Sequence, residues 1–354
     1  MDVNAFDFDL PPDRIAQEPA ANRAAARLLC LGRREGPIVH KTIADLPGLL
    51  RAGDVVVVNN TRVFPARLLG RRVPSGGAVE CLLIRHLASF QGGPDDEMWE
   101  ALMHPGQRLV PGAQVVFEGA STIHGEVRER LFHGRRVIRL RTDGGVPVSH
   151  AVDAIGHTPL PPYIHRADRL EDLERYQTVF ARERGSVAAP TAGLHLTRDL
   201  LSALETQSVL VAEITLHVGY GTFQPVRVER VDEHRLESEQ YQISGAAADR
   251  INLALQEHRR VVAVGTTSTR TLEAVAHAND GHIVAGAGET DLFIYPGFEF
   301  LVTGGLLTNF HLPRSSLLML VAAFAGRERV LAAYREAIDV GYRFYSYGDA
   351  MLVL

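Results

Sequence analysis

The chain has 354 residues, 46% of them hydrophobic and 22% charged, and a formal net charge of −5. That is the composition of a folded soluble protein of two or three domains, and it argues against a module that grips nucleic acid through a broad basic surface. Lys41 is the one lysine among 37 basic residues, so a phosphate-loop lysine is absent and Schiff-base catalysis has no supporting motif.

The two cysteines, Cys30 and Cys81, form neither a CxxC pair nor a disulfide framework. That fits a reducing cytoplasm, and a cytoplasmic monomer is expected. The start, MDVNAFDFDLPP, is acidic and broken by prolines, unlike a signal peptide. The longest strongly apolar run, residues 317–325, is too short to cross a bilayer.

In chain order, residues 27–30 read as a strand and 43–50 as a helical turn. The unbroken valines 55–58 predict a strand buried on both faces. Asn59, Asn60, Thr61 and Arg62 follow at its carboxyl end, where open α/β sheets bind ligands. Residues 64–150 change texture. Short β-rich pieces (ARLLGRR, AVECLLIRH, MWEALMH, AQVVFEG, IHGEVRE, RRVIRLRT) alternate with Gly/Pro turns, the pattern of a small barrel or sandwich. From residue 62 to 150 there are twelve arginines against nine carboxylates. The arginines of the predicted hairpin 128–141 read equally as a solvated edge or as a phosphate-contacting face.

GHTPLPPYIHR follows as an extended loop displaying Tyr163 and His165, and then DLERYQTVFARERG reads as helix. Residues 186–225 form the organising unit: the loop APTAGLH, a helix from about Thr197, a β-branched run over 209–216, and the loop HVGYGTF. Its glycines admit close backbone approach. Residues 247–257 read as helix and 261–264 as a buried strand. That strand runs into GTTSTRTLEAVA, a strand, hydroxyl-rich loop and helix in the layout of an anion site, unless the hydroxyls only cap the helix. Residues 313–325 read as a loop entering a buried helix. The expected fold class is an α/β main domain, residues 1–63 plus 151–354, interrupted by an all-β, barrel-like insert over 64–150.

Known catalytic motifs are missing. There is no HExxH or Cys/His zinc spacing, so no metal is expected. GxSxG and full GxGxxG fingerprints are absent too. Taken together, VVVVNNTRVFPARL, GHTPLPPYI, SVAAPTAGLHLT, TLHVGYGTFQPV, GTTSTRTLE, GETDLFIYPGFEF, TNFHLPRSSLLMLV and YRFYSYGDAML resemble one family. It is the S-adenosylmethionine:tRNA ribosyltransferase-isomerases of queuosine biosynthesis. The likeness runs in order along the chain and is weakest over about residues 70–150. Ala189 stands where many members carry serine.

The resemblance implies transfer of the ribosyl part of S-adenosylmethionine to 7-aminomethyl-7-deazaguanine at the tRNA wobble position. The ribose is isomerised to the epoxycyclopentane of epoxyqueuosine, and adenine and methionine leave. S-adenosylmethionine is a co-substrate here, and no other cofactor is implied. Such chemistry needs a base for the amine, an acid for adenine and surroundings that favour a sulfonium. Within the matching blocks, His195, His217 and His311 are candidates for proton transfer, with Glu289 and Asp291 to offset the sulfonium. Candidate substrate contacts are Tyr163, Thr191, Gly193, Tyr220, Phe223, Thr266, Thr267, Arg270, Asn309 and Arg314. Candidate tRNA contacts are Arg62, Arg135 and Arg136. The competing classes are a non-catalytic RNA-binding module, which would not release adenine, and a metal-dependent hydrolase, which would fail on chelation.

Overall fold

The computed structural model describes residues 1–87, 89–223 and 226–354, with Phe223 described by its backbone alone. The chain divides into two compact units, one comprising Met1–Arg62, Pro162–Arg166 and Arg175–Leu354, the other Val63–Pro161 and Ala167–Glu174.

In chain order, β1 (Arg27–Leu31), β2 (Val39–Thr42) and β3 (Val55–Asn59) come first, then a short β4 (Thr61–Val63). Six strands follow: β5 (Arg67–Val73), β6 (Ala78–His86), β7 (Asp96–His104), β8 (Gln114–Phe117), β9 (Ile123–Arg130) and β10 (Arg135–Thr142). Helix α1 (Val148–Ile155) comes next, so the boundary anticipated at residue 150 falls inside a helix. After the single turn α2 (Asp172–Arg175) come β11 (Glu183–Ser186), α3 (Arg198–Thr206), β12 (Leu210–Leu216) and β13 (Glu239–Ile243). The rest is α4 (Gly245–Gln256), β14 (Val261–Val264), α5 (Gly265–Ala278), β15 (Gly286–Thr290), β16 (Gly305–Asn309), α6 (Ser316–Ala325), α7 (Arg327–Asp339) and β17 (Ala350–Val353).

The first unit is built on a nine-stranded sheet in the order β15-β13-β12-β3-β14-β16-β17-β1-β2. Its centre, β12-β3-β14-β16, is parallel. Antiparallel β13 and β15 extend one side. On the other side β17 pairs antiparallel with β16, and β1 runs parallel to β17. The strands read at 55–58 and 261–264 both lie in this sheet, paired as neighbours.

Their alternation explains the layering, because successive side chains of a strand point to opposite faces. Val55, Val57, Val261 and Ala263 pack with Ile251 of α4, Leu272 of α5 and the apolar side of α6 and α7. Val56, Val58, Val262 and Val264 pack on the opposite face with Leu200 and Leu204 of α3 and with Ile43 and Leu46. Residues 55–58 of β3 and 261–264 of β14 are thus apolar on both faces.

The second unit is a closed barrel, β10-β7-β6-β5-β8-β9, with every pairing antiparallel. In β10, Arg136, Ile138 and Leu140 are buried and share one face. The segment expected to be helical over DLERYQTVFARERG departs from expectation, since the helix ends at Arg175. The aromatic and β-branched residues beyond it are weak helix formers; Tyr176 is fully buried, and Glu183–Ser186 becomes strand β11.

Candidate active site

A cleft of about 550 Å3, counting its open mouth, lies in the first unit at the carboxyl ends of the parallel strands. Its walls come from the APTAGLH loop (Thr191), the HVGYGTF loop (Val218, Thr222), the start of α5 (Gly265–Thr267), the end of β16 (Thr308, Asn309) and Tyr345 with Ser346. Among the described residues no carboxylate and no arginine lines it.

The local geometry follows from residue type. Gly265 has φ +88°, so β14 turns directly into α5 through a left-handed residue that suits glycine alone without strain. Val264, at the N-cap, provides no side-chain cap, which leaves the first-turn N–H groups and the positive end of the helix dipole open to a ligand. Three of the hydroxyls after it bond back into the helix: Ser268 donates to Val264 O at 2.8 Å, Thr269 to Gly265 O at 3.1 Å and Thr271 to Thr267 O at 3.0 Å. They do not cap the helix. The Thr267 hydroxyl is buried with no hydrogen-bond partner among the described residues.

Asn309 holds the next feature. Its Nδ2 donates to the Tyr345 carbonyl at 3.0 Å, which can only accept, and this fixes the amide's orientation. The same Nδ2 lies 3.2 Å from His195 Nε2, so that nitrogen accepts and the proton of a neutral His195 sits on Nδ1. Burial, then Arg343 and Arg23, lower the His195 pKa to about 4. Asn309 Oδ1 is left buried and without a partner among the described residues. His195 therefore sets Asn309 in place from outside the cleft's lining.

His311 does line the cleft. Its Nε2 is 3.3 Å from Thr308 Oγ1 and its Nδ1 3.2 Å from the Tyr334 hydroxyl. That hydroxyl also accepts the His311 backbone N–H at 3.1 Å. Burial drives the His311 pKa to about 3, so the ring is neutral at pH 7. Tyr163 and Tyr345 meet edge-on, with centroids 3.9 Å apart, and the Tyr163 hydroxyl bonds to Ser346. Tyr345 has φ +74°, a strained conformation for a bulky side chain that costs roughly 1–2 kcal/mol and is typical of functional positions.

Of the residues anticipated from sequence, Tyr163, Thr191, Thr266, Thr267, Asn309 and His311 come together here. The others lie elsewhere. His217 accepts or donates at 2.8 Å with the Thr61 hydroxyl, away from the cleft lining, and burial lowers its pKa. Gly193 is buried in the turn Thr191–His195, where a Cβ would come within 2.9 Å of Phe180 and Thr178. Glu289 is on the edge strand β15, where it bonds Ser238 at 3.0 Å, and Asp291 is exposed just beyond. Neither carboxylate is in the cleft lining, so the two are not placed there to offset a sulfonium as anticipated. Arg314 is exposed and pairs with Asp7 at 3.7 Å. Tyr220 is partly exposed in the turn Tyr220–Phe223 and is not in the lining, and the Phe223 side chain lies outside the described residues.

Arg270 is held in a buried ion pair and is not in the cleft lining. Its Nη1 donates to Glu239 at 2.6 Å and its Nε to Leu292 O at 2.8 Å, with both charged side chains buried. Glu239 in turn accepts from Gly219 N at 2.9 Å and from Thr222 Oγ1 at 3.4 Å, tying the pair to a cleft-lining loop. Arg62 is exposed on β4. Arg135 pairs with Glu100 at 2.7 Å. Arg136, only 1% exposed, gives Nε, Nη1 and Nη2 to the carbonyls of Leu109, Arg135 and Gly106, each at 2.7 Å. Its strand position points it into the barrel, so it is not a surface phosphate contact. Reasoning from sequence missed Thr308, Tyr345, Ser346 and Glu239. TNFHLP and YRFYSYGDA carried the signal for the first three, and nothing local marks Glu239. Among the described residues no group of three or more His, Cys, Asp or Glu side chains is placed to hold a metal ion, and no helix is long and apolar enough to cross a membrane.

An open-mouthed cleft with convergent polar groups at the carboxyl ends of parallel strands defines an α/β enzyme acting on a small molecule. A family model described as queuosine biosynthesis protein matches residues 3–353, and the chain belongs to that family. It is 50% identical over 354 residues to an S-adenosylmethionine:tRNA ribosyltransferase-isomerase of Desulfitobacterium hafniense, and 49% identical to one of Heliobacterium modesticaldum, with 100% of each chain covered in both cases. The crystal structure of an S-adenosylmethionine tRNA ribosyltransferase from Thermotoga maritima is similar, with a TM-score of 0.55 and 35% identity, covering 99% of this chain and 100% of that one.

Proposed function

We propose that this chain is an S-adenosylmethionine:tRNA ribosyltransferase-isomerase, transferring the ribosyl part of S-adenosylmethionine to the amine of 7-aminomethyl-7-deazaguanine at the wobble position. The ribose becomes an epoxycyclopentane, and adenine and methionine leave. Full-length likeness to relatives of that name supports the reading. The observation that carries it structurally is the cleft itself, uncharged and lined by hydroxyls and aromatic faces.

Each part of the co-substrate has a matching surface. The methionyl carboxylate is received by the uncapped start of α5 and the free Thr267 hydroxyl. The sulfonium lies against Tyr163 and Tyr345, whose ring faces attract a cation without a carboxylate. Asn309 Oδ1 accepts from an amine or an exocyclic N–H. Thr308 Oγ1, backed by His311, is the group best placed to pass a proton. For the RNA, exposed arginines such as Arg62 and Arg130 remain candidates, while Arg136 does not.

The test is adenine release. Purified protein given S-adenosylmethionine and tRNA bearing the deazaguanine precursor should release adenine, and tRNA carrying guanine at that position should give none. Equal release with both RNAs, or none with either, would refute the reading.

A further inference from the structure

Two buried oxygens belong to residues on the cleft and have no hydrogen-bond partner among the described residues, Thr267 Oγ1 and Asn309 Oδ1. Both residues are more than nine-tenths buried, at 6% and 3% exposure. Asn309 is locked in orientation. Its Nδ2 donates to the Tyr345 carbonyl and to His195 Nε2, and His195 stands outside the cleft lining. Oδ1 lies on the other branch of the planar amide, turned away from both partners and able only to accept.

The sheet brings the two residues together. β14 and β16 pair in parallel, with Val264 opposite Leu307. Adjacent strands lie about 5 Å apart, so α5, which starts at Gly265, opens next to Thr308 and Asn309. The turn Thr191–His195 touches both: His195 bonds Asn309, and a Cβ on Gly265 would lie 3.6 Å from Ala192 Cβ. The same Cβ would lie 3.6 Å from Thr267 Oγ1, so that hydroxyl sits at the open end of the helix. A helix start with free donors thus stands beside a fixed acceptor. No carboxylate, arginine or lysine is among the described lining residues.

We propose that Asn309 Oδ1 receives the α-ammonium of the methionyl group, so that the start of α5 and the end of β16 together form a subsite for an α-amino-acid head group. This rests on the function proposed above and names the donor that Asn309 takes. An α-amino acid carries its carboxylate and its ammonium on one carbon, so a ligand whose carboxylate lies at α5 brings its ammonium to the neighbouring strand end. The two charges cancel, which suits a surface of dipoles and neutral oxygens without a counter-ion. The adenine amino group sits at the other end of the ligand, past the sulfonium and the ribose.

Calorimetry on the intact protein tests this with three ligands: S-adenosylmethionine, its analogue with hydrogen in place of the α-amine, and its analogue with hypoxanthine in place of adenine. An anticodon stem-loop RNA with guanine at the wobble position is present, so that nothing turns over. Wild-type protein should bind the desamino ligand about 10–150-fold more weakly than S-adenosylmethionine, the worth of one hydrogen bond to a charged group. In Asn309→Leu the two should bind alike, and the hypoxanthine ligand should lose the same factor in both proteins. The wild-type comparison needs no variant, and Asn309→Ala, which introduces no clash, is run beside Asn309→Leu. The proposal fails if wild-type protein binds the desamino ligand as well as S-adenosylmethionine. It fails equally if the Asn309 variants level the hypoxanthine ligand with S-adenosylmethionine and leave the desamino penalty intact, since Asn309 would then read adenine. Adenine release by wild-type protein with the precursor-bearing RNA is scored separately. Release without a desamino penalty sinks this proposal alone, whereas no release sinks the functional reading.

Discussion

Thr267 and His311 sit on the same cleft with opposite hydrogen-bond states. The Thr267 hydroxyl has no partner among the described residues, so Thr267→Val removes no hydrogen bond seen in the fold while keeping the shape. Thermal melting should be unchanged or slightly raised, and S-adenosylmethionine should bind about 10–150-fold more weakly, the worth of one hydrogen bond to a charged ligand. A drop in melting temperature without a change in affinity would count against the α5 contact. His311 is tied to both Thr308 and Tyr334. If it supports proton transfer, His311→Ala should lower adenine release about 10²–10⁴-fold, with a smaller change in substrate affinity because the interaction strengthens in the transition state. His195→Ala acts only through Asn309 and should cost less, and His217→Ala less again. The reverse ranking would move the chemistry to the Thr61 side. Arg136→Ala strips the buried Leu109 carbonyl and the part-buried Arg135 and Gly106 carbonyls of their donor. It should destabilise the protein by roughly 2–4 kcal/mol in denaturant unfolding and leave the salt slope of RNA binding as it was.

At the scale of elements, the HVGYGTF loop is positioned by β13 through Glu239. That carboxylate answers Arg270 on α5 and also holds Gly219 and Thr222. Glu239→Ala leaves a buried arginine charge without its counter-ion, which costs about 3–5 kcal/mol. Replacing both partners, Glu239→Met with Arg270→Met, should restore much of the melting temperature, because an apolar pair tolerates burial. The loop would still lack its anchor, so the KM for S-adenosylmethionine should stay raised in the double variant. Full recovery of both quantities would show that the pair is structural and does nothing for the site.

For the whole molecule, His195 and His311 make stability depend on pH. Both are buried, with pKa values lowered to about 4 and about 3, whereas in an unfolded chain they titrate near 6.5. Above that value both states are neutral and the pair contributes no pH dependence. Below it the unfolded chain takes up protons that the folded chain refuses, so stability falls as pH drops from 6.5 toward 4. The slope is about 1.4 kcal/mol per pH unit for each histidine once its unfolded form is charged. Urea midpoints measured at about pH 7, 6 and 5 should fall for the wild type and fall less for His195→Gln with His311→Gln. Parallel curves for the two proteins would place the acid sensitivity elsewhere.

Local pattern alone determined much of this protein. The valine runs at 55–58 and 261–264 announced strands covered on both faces, the turn-separated pieces announced the barrel, and long ordered blocks announced the family. These are properties of side-chain period and of short stretches of chain, so they survive without knowledge of contacts. Only the tertiary structure decided which blocks meet. Glu289 and Asp291 looked like counter-charges for the sulfonium, yet they stand on or just past an edge strand, with β13 and β12 between it and β3. Arg135 and Arg136 looked equivalent, yet a period of two sends one toward Glu100 and the other into the barrel. His195 looked like an acid or base, yet it stands behind Asn309 and holds it. Each of these outcomes turns on a partner distant in sequence, and the free energy that selects such partners, through burial, ion pairing and hydrogen-bond satisfaction, exists only once the chain has folded.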